Sequence, residues 1–339
     1  MTSPRVSVLM PVYNGEKHLG EAIRSILNQT FSDFEYIIVD DGSTDKSRDI
    51  IISFDDPRIK MIINEKNIGL TKSLLKGFEF CQGEFLARMD ADDISHPQRF
   101  QKQVEFLDKN PEIGVLGSNV YAIGENSKTR YKINYPENHS LIKWSLLFSN
   151  PMCHPSVSIR KSIINKFGNY IDSDETKYIE EYNLWSRLVH HTKFCNLNEP
   201  LLKLRTSGSK ISVQNYIKQV NNSVLMSKQN ILELTGEKLE NSNIQGLWTW
   251  KFPSVTDAKK MIEAILITNR RFFEENILTD KEIILINRDT AKRILLITVT
   301  KLYSPLMLKY FFKSLQYDKL SIFRTLLWGL KAVINKYLI

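Results

Sequence analysis

Three carboxylates, Asp90, Asp92 and Asp93, fall within four positions in the stretch ARMDADDISHP, residues 87–97. Side by side they repel one another, and two arrangements make that tolerable. One is a solvated turn at a strand end, where Asp is common. The other is a divalent cation, because hard cations take oxygen ligands and convert the repulsion into binding. A second pair, Asp40 and Asp41, lies in IIVDDGSTD. There the carboxylates either cap a helix starting near Thr44 or face a ligand.

The elements that carry these residues are legible from periodicity. Short β-branched runs occur at RVSVLM, FEYIIVD, IKMIIN, EFLARMD and GVLGSNVYAI. Between several of them lie helical patterns. In EKHLGEAIRSILNQT, residues Leu19, Ala22, Ile23, Ile26 and Leu27 share one face, and SRDIIISF and LTKSLLKGFEFC read similarly. Strands alternating with helices predict an α/β fold, a Rossmann-like and mostly parallel sheet with helices on both faces. Ligands of such sheets bind beyond the carboxyl ends of the strands. Both acidic clusters end strands, so both are expected on one rim.

From residue 213 the pattern is helical throughout. VQNYIKQVNNSVLMSKQNILELTG is closed by Gly236, and a Trp-bearing connector, QGLWTWKFPSV, precedes DAKKMIEAILITNRRFFEEN. Pro305 suits the first turn of a later helix and Ser304 its cap. The expected division is 1–212 as the catalytic domain and 213–339 as an all-helical region.

Composition narrows the function classes. The 339 residues are 42% hydrophobic and 25% charged, as in a globular protein with ample core. Cys81, Cys153 and Cys195 have no zinc spacing and suit reduced, buried thiols. The first apolar run is too short for a signal peptide, and Pro11 interrupts it. No apolar run is long enough for a membrane span. The net charge of +8 is localised: residues 1–289 are formally neutral, while 290–339 hold nine basic residues and one acid, Asp318. In SPLMLKYFFKSLQ, Lys309 and Lys313 share a face and Leu308, Phe311, Phe312 and Leu315 form another. Arg324 and Lys331 repeat the arrangement amid Ile322, Phe323 and Leu327. That is what a helix lying in an anionic membrane surface needs. The competing reading is a helical subdomain that packs on itself or forms a homo-oligomer. Long aliphatic runs between the charges argue against nucleic acid.

With these residues in view, the chain resembles the inverting glycosyltransferases of family two, which have the GT-A fold. The resemblance covers roughly residues 5–210. It is carried by VSVLMPVYNGEKHLGEAIRSILNQTFSDFEYIIVDDGSTDKS, NEKNIGLTKSLLKGFEFCQGEFLARMDADDISHPQRF, NPMCHPSVSIRK and IEEYNLWSRL. It implies a nucleotide-sugar donor lying across the strand ends, near Pro11, Tyr13, Glu16, Asn67 and Gly69. Asp41 matches the carboxylate that holds the base, and a carboxylate accepts from the imide N–H of uracil but not from the matching edge of cytosine. A UDP-sugar follows. Asp90 and Asp92 match the DxD element, with Asp92 ligating Mn²⁺ or Mg²⁺ and Asp90 facing the ribose or the metal's water shell. Asp93 orders the turn or a ligated water.

The resemblance also implies a base. The family's EDYxLW reads EEYNLW here, so Glu181 takes the place of the Asp and Glu180 precedes it. The other reading is that both glutamates merely favour a helix N-terminus. His154, Glu180 and Trp185 fall on the acceptor side. Leu75 and Ser207 depart from an Asn and a metal-holding His that are common in relatives, which leaves Asp92 as the main protein ligand. The QxxRW motif of processive synthases is missing, so transfer of one residue is expected. The acceptor would be a glycan, lipid-linked in the making of a bacterial surface polysaccharide. The enzyme would be cytoplasmic, peripheral to the inner face of the cell membrane through residues 290–339. A nucleotidyltransferase would need a glycine-rich triphosphate loop, and PVYNGEKH has one glycine. A degenerate carbohydrate- or membrane-binding protein is the alternative that donor hydrolysis would separate.

Overall fold

The computed structural model describes residues 3–206, 213–240, 244–246, 254–299, 301, 304–318 and 320. The chain divides into two compact units, Met1–Ile142 with Pro151–Ile211, and Lys143–Asn150 with Ser212–Ile339.

The first unit runs β1 (Val6–Val12), α1 (Leu19–Leu27), β2 (Phe34–Asp40), α2 (Ser47–Ile52), β3 (Ile59–Ile63), α3 (Leu70–Phe78), β4 (Phe85–Arg88) and β5 (Ile94–Ser95). It continues through α4 (Arg99–Lys109), β6 (Ile113–Ile123), β7 (Thr129–Ile133), α5 (His139–Leu146), β8 (Ser158–Arg160), α6 (Lys161–Phe167), α7 (Glu180–Leu188) and β9 (Lys193–Arg205). The strands form one sheet in the order β3-β2-β1-β4-β8-β6-β9-β5, with β7 on β6. Every residue of β1 and β2 is buried, as expected where helices cover both faces of parallel strands. On α1 the buried residues are Leu19, Ala22, Ile23 and Ile26, the face that the spacing picked out. The parallel part is β3-β2-β1-β4. Beyond β4 the sheet is mixed, because β8 pairs antiparallel with both β4 and β6 while the long strands β6 and β9 run parallel.

The second unit consists of α8 (Val213–Thr235), α9 (Val255–Glu275), α10 (Asp280–Val299) and α11 (Pro305–Tyr317), together with Lys143–Asn150, which includes the last turn of α5. Trp144 is fully buried in it, edge-on to Phe148 and Phe272, and its indole N–H donates to Asp289 at 2.7 Å. Ser227 and Asn230 of α8 donate to the carbonyls of Leu147 and Leu146. Gly236 ends α8 with φ +73° and an N–H bonded to Leu232 O, a role that needs the left-handed backbone glycine allows. Pro305 opens α11 with Ser304 at the cap position, although the Ser304 hydroxyl makes no cap bond. Met307, Tyr310 and Ser314 are buried, and Tyr310 donates to Glu263 of α9. Leu308 and Phe312 stay exposed beside Lys309. Residue 290, where the basic tail was expected to begin, lies inside α10, whose Thr290, Ala291, Ile294 and Leu295 are core residues. Most of the Trp-bearing connector, and everything from 321 onward, lies outside the described residues. Among the described residues, no helix is long and apolar enough to cross a membrane.

Candidate active site

The parallel register aligns Val12 with Asp40 and Leu9 with Arg88, so the chain leaves β1, β2 and β4 on one rim. An open cleft of about 720 Å³ lies there, lined by Pro11, Tyr13, Asn14, Gly15, Lys17 and His18 from the β1 exit, by Asp90, Ala91 and Asp92 from the β4 exit, and by Glu125. The β1 exit is held by the turn before α2. Asn14 (φ +49°) accepts from the Thr44 N–H, and Gly15 N–H donates to Ser47. Glu16 belongs to that brace: its carboxylate accepts from the Lys46 N–H and its own N–H donates to Asp45. It is not among the residues lining the cleft.

Asp40 and Asp41 divide their roles. Asp40, fully buried, accepts from the Ser43 N–H and from Arg48. Asp41 is also buried and accepts three bonds of 2.9 Å, from the Asn64 amide and from the backbone N–H groups of Ile68 and Gly69. The expected cap of a helix near Thr44 is therefore not its role, since the helix begins at Ser47, where Asp45 accepts from the Ser47 N–H. Gly42 has φ +71°, and a Cβ there would lie 2.5–2.7 Å from the backbone of Lys66 and Asn67. This close approach explains the glycine of DDGS. Asn67 is exposed on the segment that Asp41 holds.

Asp90, Asp92 and Asp93 each offer a carboxylate oxygen, all within 4.8 Å of one another. Arg88, almost fully buried, is ion-paired with Asp90. Burial and the neighbouring Asp90 raise the carboxyl of Asp92. Burial, then Asp90 and Asp92, raise that of Asp93 further. Asp93 Oδ1 accepts from the Arg205 N–H at 2.7 Å, so Asp93 orders the turn, whereas its Oδ2 is buried with no hydrogen-bond donor in reach. Three carboxylates that bring oxygens this close, two of them costly to ionise, fit a hard divalent cation.

Glu180 and Glu181 form the first turn of α7. Burial raises both carboxyls, and with Glu180 alongside, that of Glu181 is pushed up to about 8. The Arg88 guanidinium opposes this at Asp92, Asp93, Glu180 and Glu181 alike, so one buried cation serves both acidic groups. His154 opens a 3₁₀ turn with Nδ1 4.0 Å from Glu181 Oε2 and Nε2 2.8 Å from the Tyr170 hydroxyl. Trp185 is fully buried, edge-on to His154 and Phe194, so it backs the site and does not line an open acceptor surface. Leu75 is half-buried on α3, and Ser207 lies outside the described residues.

Residues 7–168 match the family model described as Glycosyl transferase family 2. An uncharacterized glycosyltransferase of Haemophilus influenzae is 34% identical over 251 residues, spanning 71% of this chain and 73% of that one. The chain belongs to glycosyl transferase family 2. This family 2 glycosyltransferase is also similar to the amylovoran biosynthesis glycosyltransferase AmsE of Erwinia amylovora, 33% identical over 62% of this chain and 81% of AmsE. Among solved structures, residues 1–349 of S. aureus TarS in complex with UDP-GlcNAc share its fold. The TM-score is 0.55 at 17% identity, over 94% of this chain and 90% of that one.

Two cations of this family 2 enzyme escaped the sequence reading. Arg88 carried a signal, a lone cation inside the apolar run EFLARMD. Arg205, at the end of LLKLR, has a side chain with no exposed surface. Its guanidinium donates to Asp92 O, Gly124 O, Glu125 O, Glu21 and Ser127, which joins the DxD turn to α1 and to the turn between β6 and β7.

Proposed function

We propose that this transferase moves one sugar from a UDP-sugar to a glycan acceptor, with inversion and with Mn²⁺ or Mg²⁺. The observation that carries the reading is the acidic turn beyond β4. Asp90 and Asp92 line the cleft, and the neighbouring Asp93 has a buried, unpartnered Oδ2. Asp92 and Asp90 would hold the cation, which when bound would offset the charge of the departing diphosphate. Asp41 has about one acceptor site left beyond its three bonds, suited to the uracil imide N–H. Glu181 takes the proton of the acceptor hydroxyl as that oxygen attacks the anomeric carbon. The bond from that carbon to the diphosphate oxygen breaks, leaving UDP. A carboxyl pushed up to about 8 by burial and by Glu180 is, once ionised, a stronger base than an ordinary carboxylate.

The acceptor proposed is a lipid-linked glycan in surface-polysaccharide synthesis, supported by the similarity to a transferase named for amylovoran biosynthesis. The exposed Leu308 and Phe312 beside Lys309 support contact of the enzyme with an anionic membrane surface. The test is hydrolysis of UDP-, GDP- and CDP-hexoses by the full chain, with Mn²⁺, with Mg²⁺ and with chelator. UDP-sugar turnover that needs the metal and disappears in folded Asp92→Ala is expected. Metal-stimulated turnover retained by that variant, or CDP competing as well as UDP, would overturn the reading.

A further inference from the structure

His154 has no place in the proton transfer just described, yet it is held more tightly than packing requires. Its 3₁₀ turn is closed by the Ser156 N–H on Cys153 O. Its ring lies at 80° to Trp185, one helical turn beyond Glu181 on α7. Both ring nitrogens face polar groups, Nε2 the Tyr170 hydroxyl at 2.8 Å and Nδ1 the Glu181 carboxylate at 4.0 Å. Burial and the Arg88 guanidinium keep the imidazole neutral, so it carries one N–H. Burial likewise keeps the Tyr170 phenol protonated. With the N–H on Nε2, the Nδ1 lone pair would face a carboxylate. With it on Nδ1, Tyr170 donates to Nε2 and the N–H dipole points at Glu181. A protonated Glu181 suits the first, its O–H facing the Nδ1 lone pair while Tyr170 accepts from Nε2–H; an ionised Glu181 suits only the second. Glu180, Arg88 and Asp90 also act on Glu181, but none of them fixes this tautomer.

We propose that Tyr170 and His154 are positioning residues for Glu181: when Glu181 is ionised, the Tyr170 hydroxyl donates to Nε2 and leaves the His154 N–H on Nδ1, where it favours and orients the carboxylate. The inference rests on the reading of Glu181 as the base. His154 neither gains nor loses a proton in the reaction. It favours the ionised form of the base and biases the direction its carboxylate faces.

The test uses the full chain without substrate, labelled with ¹⁵N in histidine rings and ¹³C in glutamate carboxyls, the signals identified by H154Q and E181Q. The Nδ1–H tautomer is expected for His154 at pH 9, where Glu181 is ionised, with a smaller Nδ1–H fraction in Y170F. The Glu181 titration midpoint should rise about tenfold in proton affinity in Y170F and H154Q. It should stay near that of the parent in H154N, whose amide N–H can occupy the place of Nδ1–H. An Nε2–H tautomer in the parent at pH 9, or an unmoved midpoint in folded Y170F and H154Q, would overturn the relay even if E181Q has lost UDP-sugar turnover. Full turnover in E181Q would overturn the base and the relay together.

Discussion

Arg88 sets the electrostatic terms of the site at the level of single residues. It is the counter-charge for carboxylates on two separate segments, and Asp90 is the one it touches. Arg88→Met keeps the volume but leaves those acids uncompensated in a buried setting, so turnover should fall by more than about a hundredfold. A steady-state rate near that of the parent would show that the charge is supplied elsewhere. Glu181 has a consequence for stability as well as rate. Burial, with Glu180 alongside, pushes its carboxyl up to about 8 in the fold against an ordinary 4.5. Between those values the folded chain holds a proton that the unfolded chain has released, so stability falls as pH rises through that window. Glu181→Gln should therefore be more stable than the parent to urea at pH 9 and equal to it near pH 4, while turnover drops by about two to four orders of magnitude. Equal urea midpoints at pH 9 would mean that Glu181 is not held in its neutral form. The acidic positions were legible because DxD and EEYNLW are local patterns. Arg88 and Tyr170 were not, because their importance lies in what converges on them from distant segments.

Among the elements, the connections after strands carry the site. The DDGS turn leaves β2 so close to segment 64–69 that only glycine fits at 42. Gly42→Ala adds a Cβ against backbone at a positive φ and should cost at least about 2 kcal/mol in denaturant unfolding. It should also weaken UDP binding, since Asp41 hangs on the same segment. Unchanged stability would mean that the two loops part freely. Periodicity located β1 to β4 and their helices because each is long enough to show its period. In the mixed half of the sheet β6 was readable as the run GVLGSNVYAI, whereas its pairing was not. β8 has three residues and β5 two, and their neighbours are chosen by strands far along the chain.

At the scale of the whole molecule, charge segregation was plain in the sequence, whereas the boundary of the tail was not. A deletion from residue 290 would cut α10 through its buried face. The informative variants are a chain ending at residue 320 and the double change Lys309→Glu with Lys313→Glu. Each should cosediment less with anionic vesicles than the parent does and retain UDP-sugar hydrolysis. Equal sedimentation on neutral and anionic vesicles would point instead to a surface that meets protein. The second unit has one further property. Trp144 and Phe148 leave the ribosome about 125 residues ahead of Phe272 and about 145 ahead of Asp289 and Arg293, which enclose them. At ordinary elongation rates that is roughly 6–25 s. For that interval the Trp-Phe pair lacks the ring, the carboxylate and the guanidinium that enclose it in the finished unit, and such apolar surface is a handle for a chaperone. Release of the chaperone would then be timed by the synthesis of α10.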